Sequence, residues 1–134
     1  MNSPRGYIID ARYPTTYIRE LAPNWLNYVA ALNGTLPCPL DQPFAYLELG
    51  CGAGISSLTH AAAFPFGAFH ACDFNRDGIA IGKQHARTRA IGNIRFHEAS
   101  FDELRIKDLP DFEFIVLHGV YTWVGEDVQQ RFGS

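Results

Sequence analysis

The stretch Tyr46-Leu47-Glu48-Leu49-Gly50-Cys51-Gly52-Ala53-Gly54 decides how the rest of this sequence is read. A short apolar run from Phe44 to Leu49 has the length and composition of a strand. It meets glycine at every second position and gives way to a helical pattern over Ser56–Ala63, which Phe64-Pro65 ends. A strand that passes through alternating glycines into a helix is a nucleotide-binding turn. Glycine admits positive φ and lets a ligand approach the backbone without meeting a Cβ, while the first turn of the helix offers unpaired N–H groups. The same pattern also serves as a tight strand-to-helix turn with no ligand, so the neighbouring residues have to discriminate.

Working outward, strand and helix patterns alternate. Ala68–Asp73 reads as a second strand. Asn75 is placed to cap a helix running towards Ala90, although Gly78 and Gly82 each weaken that helix by about 1 kcal/mol relative to alanine. Gly92 stops it, Asn93–His97 reads as a third strand, Phe112–His118 as a fourth, and Glu126–Arg131 as the start of another helix. On the N-terminal side, Met1–Ala22 is irregular and tyrosine-rich. Pro23–Asn33 carries Trp25, Leu26, Tyr28, Val29 and Leu32 at helical spacing, and Thr35–Pro43 holds three prolines in nine residues and reads as a loop. Strands separated by helix-length segments imply right-handed βαβ units. The expected fold is therefore α/β: a mostly parallel sheet with helices on both faces, preceded by an N-terminal helix. The domain organisation follows as an N-terminal arm and helix over 1–43 and an α/β unit over 44–134. The last helix pattern stops after one or two turns where a further strand is due, so the chain reads as the N-terminal half of a larger fold. A strand at the sheet edge left unpaired in this way invites self-association.

Composition narrows the function classes. With 47% apolar and 19% charged residues among 134, the chain buries a core and is not disordered. Eleven basic residues against 14 acidic ones leave a net charge of −3 and no electrostatic footprint for nucleic acid. No run has the roughly 18 uncharged apolar residues of a membrane span, and Met1-Asn2-Ser3-Pro4-Arg5-Gly6 is followed by no apolar signal core. Cys38, Cys51 and Cys72 are odd in number and widely spaced, which excludes a disulfide scaffold and offers no zinc spacing. A cytoplasmic protein with a small-molecule cofactor is the expectation.

Asp73 lies nineteen residues after Gly54, at the carboxyl end of the next strand. An acid there can accept hydrogen bonds from both hydroxyls of a ribose; alternatively it caps the following helix. Ligands of such sheets bind at the carboxyl ends of the strands, where Glu48, Gly50, Gly52, Asp73, Ser100 and His118 would gather. The spacing Gly50, Gly52, Gly54 places Ile55 where a dinucleotide fingerprint wants glycine or alanine, and no lysine follows as a phosphate loop requires. No cation near the turn could answer a pyrophosphate. A ligand with ribose but no phosphate fits better, and S-adenosylmethionine is one.

On these residues the sequence resembles the class I S-adenosylmethionine-dependent methyltransferases. Glu48-Leu49-Gly50-Cys51-Gly52-Ala53-Gly54 looks like their first motif, and Asp73 in Ala71-Cys72-Asp73-Phe74-Asn75 looks like their ribose-binding acid. Leu117-His118-Gly119-Val120-Tyr121-Thr122-Trp123-Val124 and Tyr17-Ile18-Arg19-Glu20-Leu21-Ala22-Pro23 are similar to the bacterial members that carry a methyltransferase regulatory domain. The resemblance implies a Rossmann-like open parallel sheet with strands in spatial order 3-2-1-4, S-adenosyl-L-methionine as cofactor and in-line displacement at its sulfonium methyl, with the acceptor open. It implies cofactor contacts at Glu48, Gly50, Cys51, Gly52, Gly54, Asp73, Phe74, Ser100, Phe101, His118 and Gly119. Gly50, Gly52 and Gly54 would floor the methionine part, Phe74 would pack beside the adenine with the backbone at Phe101 facing the ring, and Ser100 stands where many members have aspartate. His118 is the candidate general base, and Tyr17 and Tyr121 are candidate substrate contacts, with Tyr13 and Trp123 beside them. Two other classes stay open: a noncatalytic module binding S-adenosylmethionine or S-adenosylhomocysteine, and an NAD-binding oxidoreductase domain. His60, His70, His85 and His97 fall on different elements and suggest no metal site.

Overall fold

The computed structural model describes residues 19–105 and 109–117. A 3-10 turn at Arg19–Leu21 leads into α1 (Pro23–Leu32). There follow β1 (Phe44–Leu49), α2 (Ile55–Ala63), β2 (Gly67–Asp73), α3 (Arg76–Thr88), β3 (Ile94–Glu98), α4 (Phe101–Arg105) and β4 (Phe114–Leu117). All pairings are parallel and the order is β3-β2-β1-β4, as expected of a Rossmann-like sheet. The central strand β1 is buried along its whole length because it is paired on both edges and covered on both faces. The helix expected over 126–131 lies outside the described residues.

The period of two along each strand sorts side chains onto two faces. Phe44 and Tyr46 of β1, Phe69 and Ala71 of β2, Ile94 of β3, and Phe114 and Val116 of β4 pack against Leu58 and Ala61 of α2 and Ile79 of α3. Leu47, Leu49 and Cys72 face the other way and pack with Ala99 and Leu104 of α4. Helices therefore cover both faces. The Tyr46 hydroxyl, fully buried, donates to the Leu21 carbonyl at 2.7 Å and so ties the N-terminal turn to the central strand. Among the described residues no helix is long and apolar enough to cross a membrane.

Local chemistry explains the boundaries. The Asn75 side chain accepts from the N–H groups of Asp77 and Gly78, the expected N-cap of α3. α4 was not anticipated from the sequence, yet its signal is present: Ser100 and Glu103 form a capping box. The Ser100 N–H donates to Glu103 Oε1 at 2.8 Å, and the Glu103 N–H donates to Ser100 Oγ at 3.2 Å. At the opposite end of the sheet, Asn93 Nδ2 reaches the carbonyls of Ala61, Phe64 and Gly67 at 2.9–3.1 Å. One amide thus joins the end of α2, the turn after it and the start of β2. Asn93→Ala should lower the free energy of urea unfolding by about 2–3 kcal/mol, because it strands carbonyls that have lost their donor. Asn93→Asp should cost more than alanine, since it sets a carboxylate among three carbonyl oxygens; equal costs would refute the shared-donor assignment.

Candidate functional site

The carboxyl ends of β1 and β2 meet at the glycine turn. Gly50, Gly52 and Gly54 all have positive φ, at 76°, 62° and 75°. Three left-handed residues in five let the backbone leave β1 and enter α2 within a single turn. The turn is anchored to β2. The Cys72 carbonyl accepts from the N–H groups of Gly50 and Cys51 at 2.7 and 3.0 Å. Asp73 Oδ2 accepts from the Gly52 N–H at 2.9 Å, while its Oδ1 accepts from the Asn75 N–H at 2.8 Å. Gly54 is the N-cap of α2 and supplies no side-chain cap.

Two of the turn's neighbours explain glycines that weaken a helix. A Cβ on Gly78 would lie 2.8 Å from the Gly52 carbonyl oxygen, and one on Gly82 would lie 2.8 Å from that of Ala53. These residues, one helical turn apart, let the backbone of α3 rest directly on the glycine turn. Gly54 has a packing reason as well, since a Cβ there would strike the Phe96 ring. Its missing side chain thus faces the β3 ring rather than open space.

The electrostatics of this edge are acidic. Glu48 is buried on β1, and its Oε1 accepts from Ser57 Oγ of α2 at 2.6 Å. Burial pushes its carboxyl up to about 7; the Ser57 hydrogen bond opposes the shift and the negative charge of Asp73 adds to it. Asp73 is also raised by burial, against the three backbone hydrogen bonds that hold its ionised form. The two oxygens of Asp73 offer about four lone-pair sites, and the three backbone hydrogen bonds leave acceptor capacity over. The Cys51 thiol is buried in the core and contacts the Gly52 carbonyl, with its pKa raised well above the usual range by burial and by Glu48 and Asp73. Both its N–H and its thiol are therefore committed within the protein, which makes it an inert packing residue.

Of the residues expected here, Glu48, Gly50, Cys51, Gly52, Gly54 and Asp73 come together at one edge. Phe74 follows Asp73 and packs against the Leu47–Leu49 cluster, and Ser100 is buried at the end of β3 as the cap of α4. Phe101 begins α4. His118, Gly119, Tyr17 and Tyr121, with Tyr13 and Trp123, lie outside the described residues. Two histidines that looked unrelated in the sequence are neighbours: His70 Nδ1 lies 2.9 Å from His97 Nε2, with ring planes 7° apart. The β2–β3 register sets His70 against Arg95 and Cys72 against His97, a juxtaposition that residue spacing alone does not reveal. Among the described residues no group of three or more metal-ligating side chains occurs.

Residues 47–133 match the family model described as a methyltransferase domain. The chain belongs to that family. The chain is 37% identical over 119 residues to an uncharacterized protein of Synechocystis, matching 89% of this chain and 24% of that protein. It is 32% identical over 122 residues to an uncharacterized protein of Rickettsia prowazekii, matching 91% of this chain and 48% of the relative. The chain thus spans half or less of the length of these curated relatives. Among solved structures, PKMT2 of Rickettsia typhi in complex with AdoHcy superposes with a TM-score of 0.81 at 29% identity, over 89% of this chain and 22% of that one.

The chemistry of the edge makes two predictions. Gly78→Ala should destabilise the methyltransferase domain by about 1–2 kcal/mol in urea unfolding, because overpacking against a backbone carbonyl outweighs the gain in helix propensity. A variant as stable as wild type would refute the close approach of α3. The second concerns pH. Glu48 rises from 4.5 to about 7 on folding, so its contribution to stability is present below pH 4.5 and is lost as pH rises towards 7. His60 falls from 6.5 to about 4 through burial, so its contribution is present above pH 6.5 and is lost as pH falls towards 4. Each shift is worth about 3 kcal/mol and the two oppose one another between pH 4.5 and 6.5. Glu48→Gln, which keeps an oxygen for Ser57, should therefore turn a nearly flat profile into one rising from pH 4 to 6.5 by about 3 kcal/mol. An unchanged profile in urea melts across this range would show that Glu48 is not buried as an acid.

Proposed function

We propose that this chain is the cofactor-binding half of an S-adenosylmethionine-dependent methyltransferase. The observation that carries the reading is the turn of three left-handed glycines hydrogen-bonded to an acid at the end of β2. Such a turn gives a ligand access to bare backbone at the mouth of a parallel sheet. The donor set fits this cofactor. Glu48 and Asp73 supply two carboxyl groups, and no lysine or arginine occurs between Arg19 and Arg76. An edge of that kind favours a ligand bearing ammonium and sulfonium charges and a ribose, and disfavours a pyrophosphate. The AdoHcy complex of the Rickettsia typhi protein, which has the same fold, adds to the case.

In this reading Asp73 holds the ribose hydroxyls with the lone pairs its backbone contacts leave over. Gly50, Gly52 and Gly54 floor the methionine portion, with Gly54 serving mainly to admit Phe96. Glu48 holds the turn through Ser57 and faces the cationic end of the ligand. Phe74 lies beside the adenine, and the backbone at Ser100–Phe101 faces its edge. When bound, the cofactor supplies an electrophilic methyl group on sulfur and departs as S-adenosylhomocysteine. The chain's own share is alignment and exclusion of water. His118 and Gly119 complete the methionine side, and Tyr17 and Tyr121 contact an acceptor whose identity depends on chain beyond these residues. Three free cysteines accord with a cytoplasmic location.

Because Asp73 also anchors the turn, simple loss of binding in Asp73→Ala would not separate its two roles. Calorimetric titration with S-adenosylhomocysteine and its 2′-deoxyribose analogue does so. Wild type should favour the ribose form by about 1.5–3 kcal/mol, the range for a hydrogen bond to a charged group, and Asp73→Ala should lose that preference. NADH should give no heat. A folded chain that binds NADH, or one whose preference survives in Asp73→Ala, would overturn the assignment.

A further inference from the structure

The outer edge of β3 has a chemistry unlike the rest of the molecule. The chain carries a net charge of −3, yet between Asp77 and Glu98 it has no acidic residue and four basic ones, Lys83, Arg87, Arg89 and Arg95. β3 is the last strand of the described sheet on its side. The Asn93 carbonyl and the Ala99 N–H turn inward to Phe69 and Asp73 of β2. The period of two then turns the backbone groups of Arg95 and His97 inward too, and leaves those of Ile94, Phe96 and Glu98 on the outer side. Among the described residues no strand pairs with them.

Between this edge and α3 runs an open groove of about 620 Å³. Its floor is apolar, made by Ala86, Ile91, Ile94 and Phe96, and Lys83 and Arg87, one helical turn apart on α3, stand at its rim. Neither lysine nor arginine at that rim has an ionic partner among the described residues, and the same holds for Arg95. Arg95 alternates to the opposite face of the strand from Phe96.

We infer that the β3 edge is a docking site for an extended acidic segment of a partner protein, which adds as a strand and sets alternate apolar side chains into the groove. Unpaired edge groups supply the main-chain hydrogen bonds, and the side-chain alternation supplies specificity. Acidic residues of the partner meet Lys83 and Arg87 on one face and Arg95 on the other. Charge decides between occupants. Cations along an edge discourage a second copy of the same edge, because like charges would face one another, but they attract an acidic strand. Single-stranded nucleic acid would use the cations but neither the edge backbone groups nor the apolar floor. This inference is independent of the cofactor reading.

The probe is a labelled peptide of about twelve residues, a glutamate–valine alternation flanked at each end by a pair of glutamates so that acid reaches both faces of the strand, titrated by fluorescence anisotropy at low salt. Saturable binding is expected, with no binding of the lysine–valine counterpart. Lys83→Glu with Arg87→Glu should weaken it at least about tenfold. Both residues are exposed, and far-ultraviolet circular dichroism checks that the fold is kept. N-methylation of alternate peptide amides should also weaken binding about tenfold, since it removes strand pairing without altering the protein. Absence of binding, affinity unchanged by N-methylation or by charge reversal, or tighter binding of a single-stranded RNA of equal length would each overturn the proposal.

Discussion

The clamp between the glycine turn and the end of β2 is the constraint on which the remaining geometry depends. The Cys72 carbonyl takes two N–H groups from the turn, and the Asp73 carboxylate takes a third. These bonds do for the loop what a strand ladder does for β1. They hold three left-handed residues that a free chain would populate only in part. Once the turn is held, α2 starts at a defined place, and α3 can descend onto it through Gly78 and Gly82. α3 is then positioned by backbone contact with the turn as well as by the side chains it packs on the sheet. A residue of ordinary size at either glycine would push α3 off the turn.

The same clamp gathers acid at one edge. Burial raises both Glu48 and Asp73, and the negative charge of Asp73 adds to the rise of Glu48. Hydrogen bonds from Ser57 and from backbone amides offset part of that cost. An arrangement that keeps two buried carboxyl groups at one edge, with no cation paired to them among the described residues, trades some stability at neutral pH for a negative potential at the mouth of the sheet. That trade is reasonable if a cationic ligand spends time there, and it accords with the proposed cofactor.

Charge is partitioned across the sheet. Acid collects where β1 and β2 end, while the basic residues of α3 and β3 collect along the outer edge, beyond β2. The chain's modest net charge conceals both. A sequence with separate acidic and basic surfaces can serve a cationic small molecule and an acidic partner without either competing for the same place.

Much of the fold was legible in the residues. The Phe44–Leu49 run, the glycine turn and the Asn75 cap each carry a local signal, because strand hydrophobicity, positive φ and N-capping act over a few residues. Strand order came with the family resemblance, since the handedness of βαβ units fixes the face each helix takes and not which strands adjoin. The capping box at Ser100 and Glu103 was equally local, and it marks a helix that composition alone did not suggest. Other features arise only when distant segments meet. Gly78 and Gly82 look like flaws in a helix until the turn at 52–53 is set against them. His70 and His97 become neighbours through a strand register, and the role of Asp73 as an anchor for Gly52 depends on two strands ending side by side. Sequence determines what each segment can form, since propensity and turn chemistry are short-ranged. Only the tertiary structure decides which backbones touch and which charges lose their water, because both depend on residues far apart in the chain.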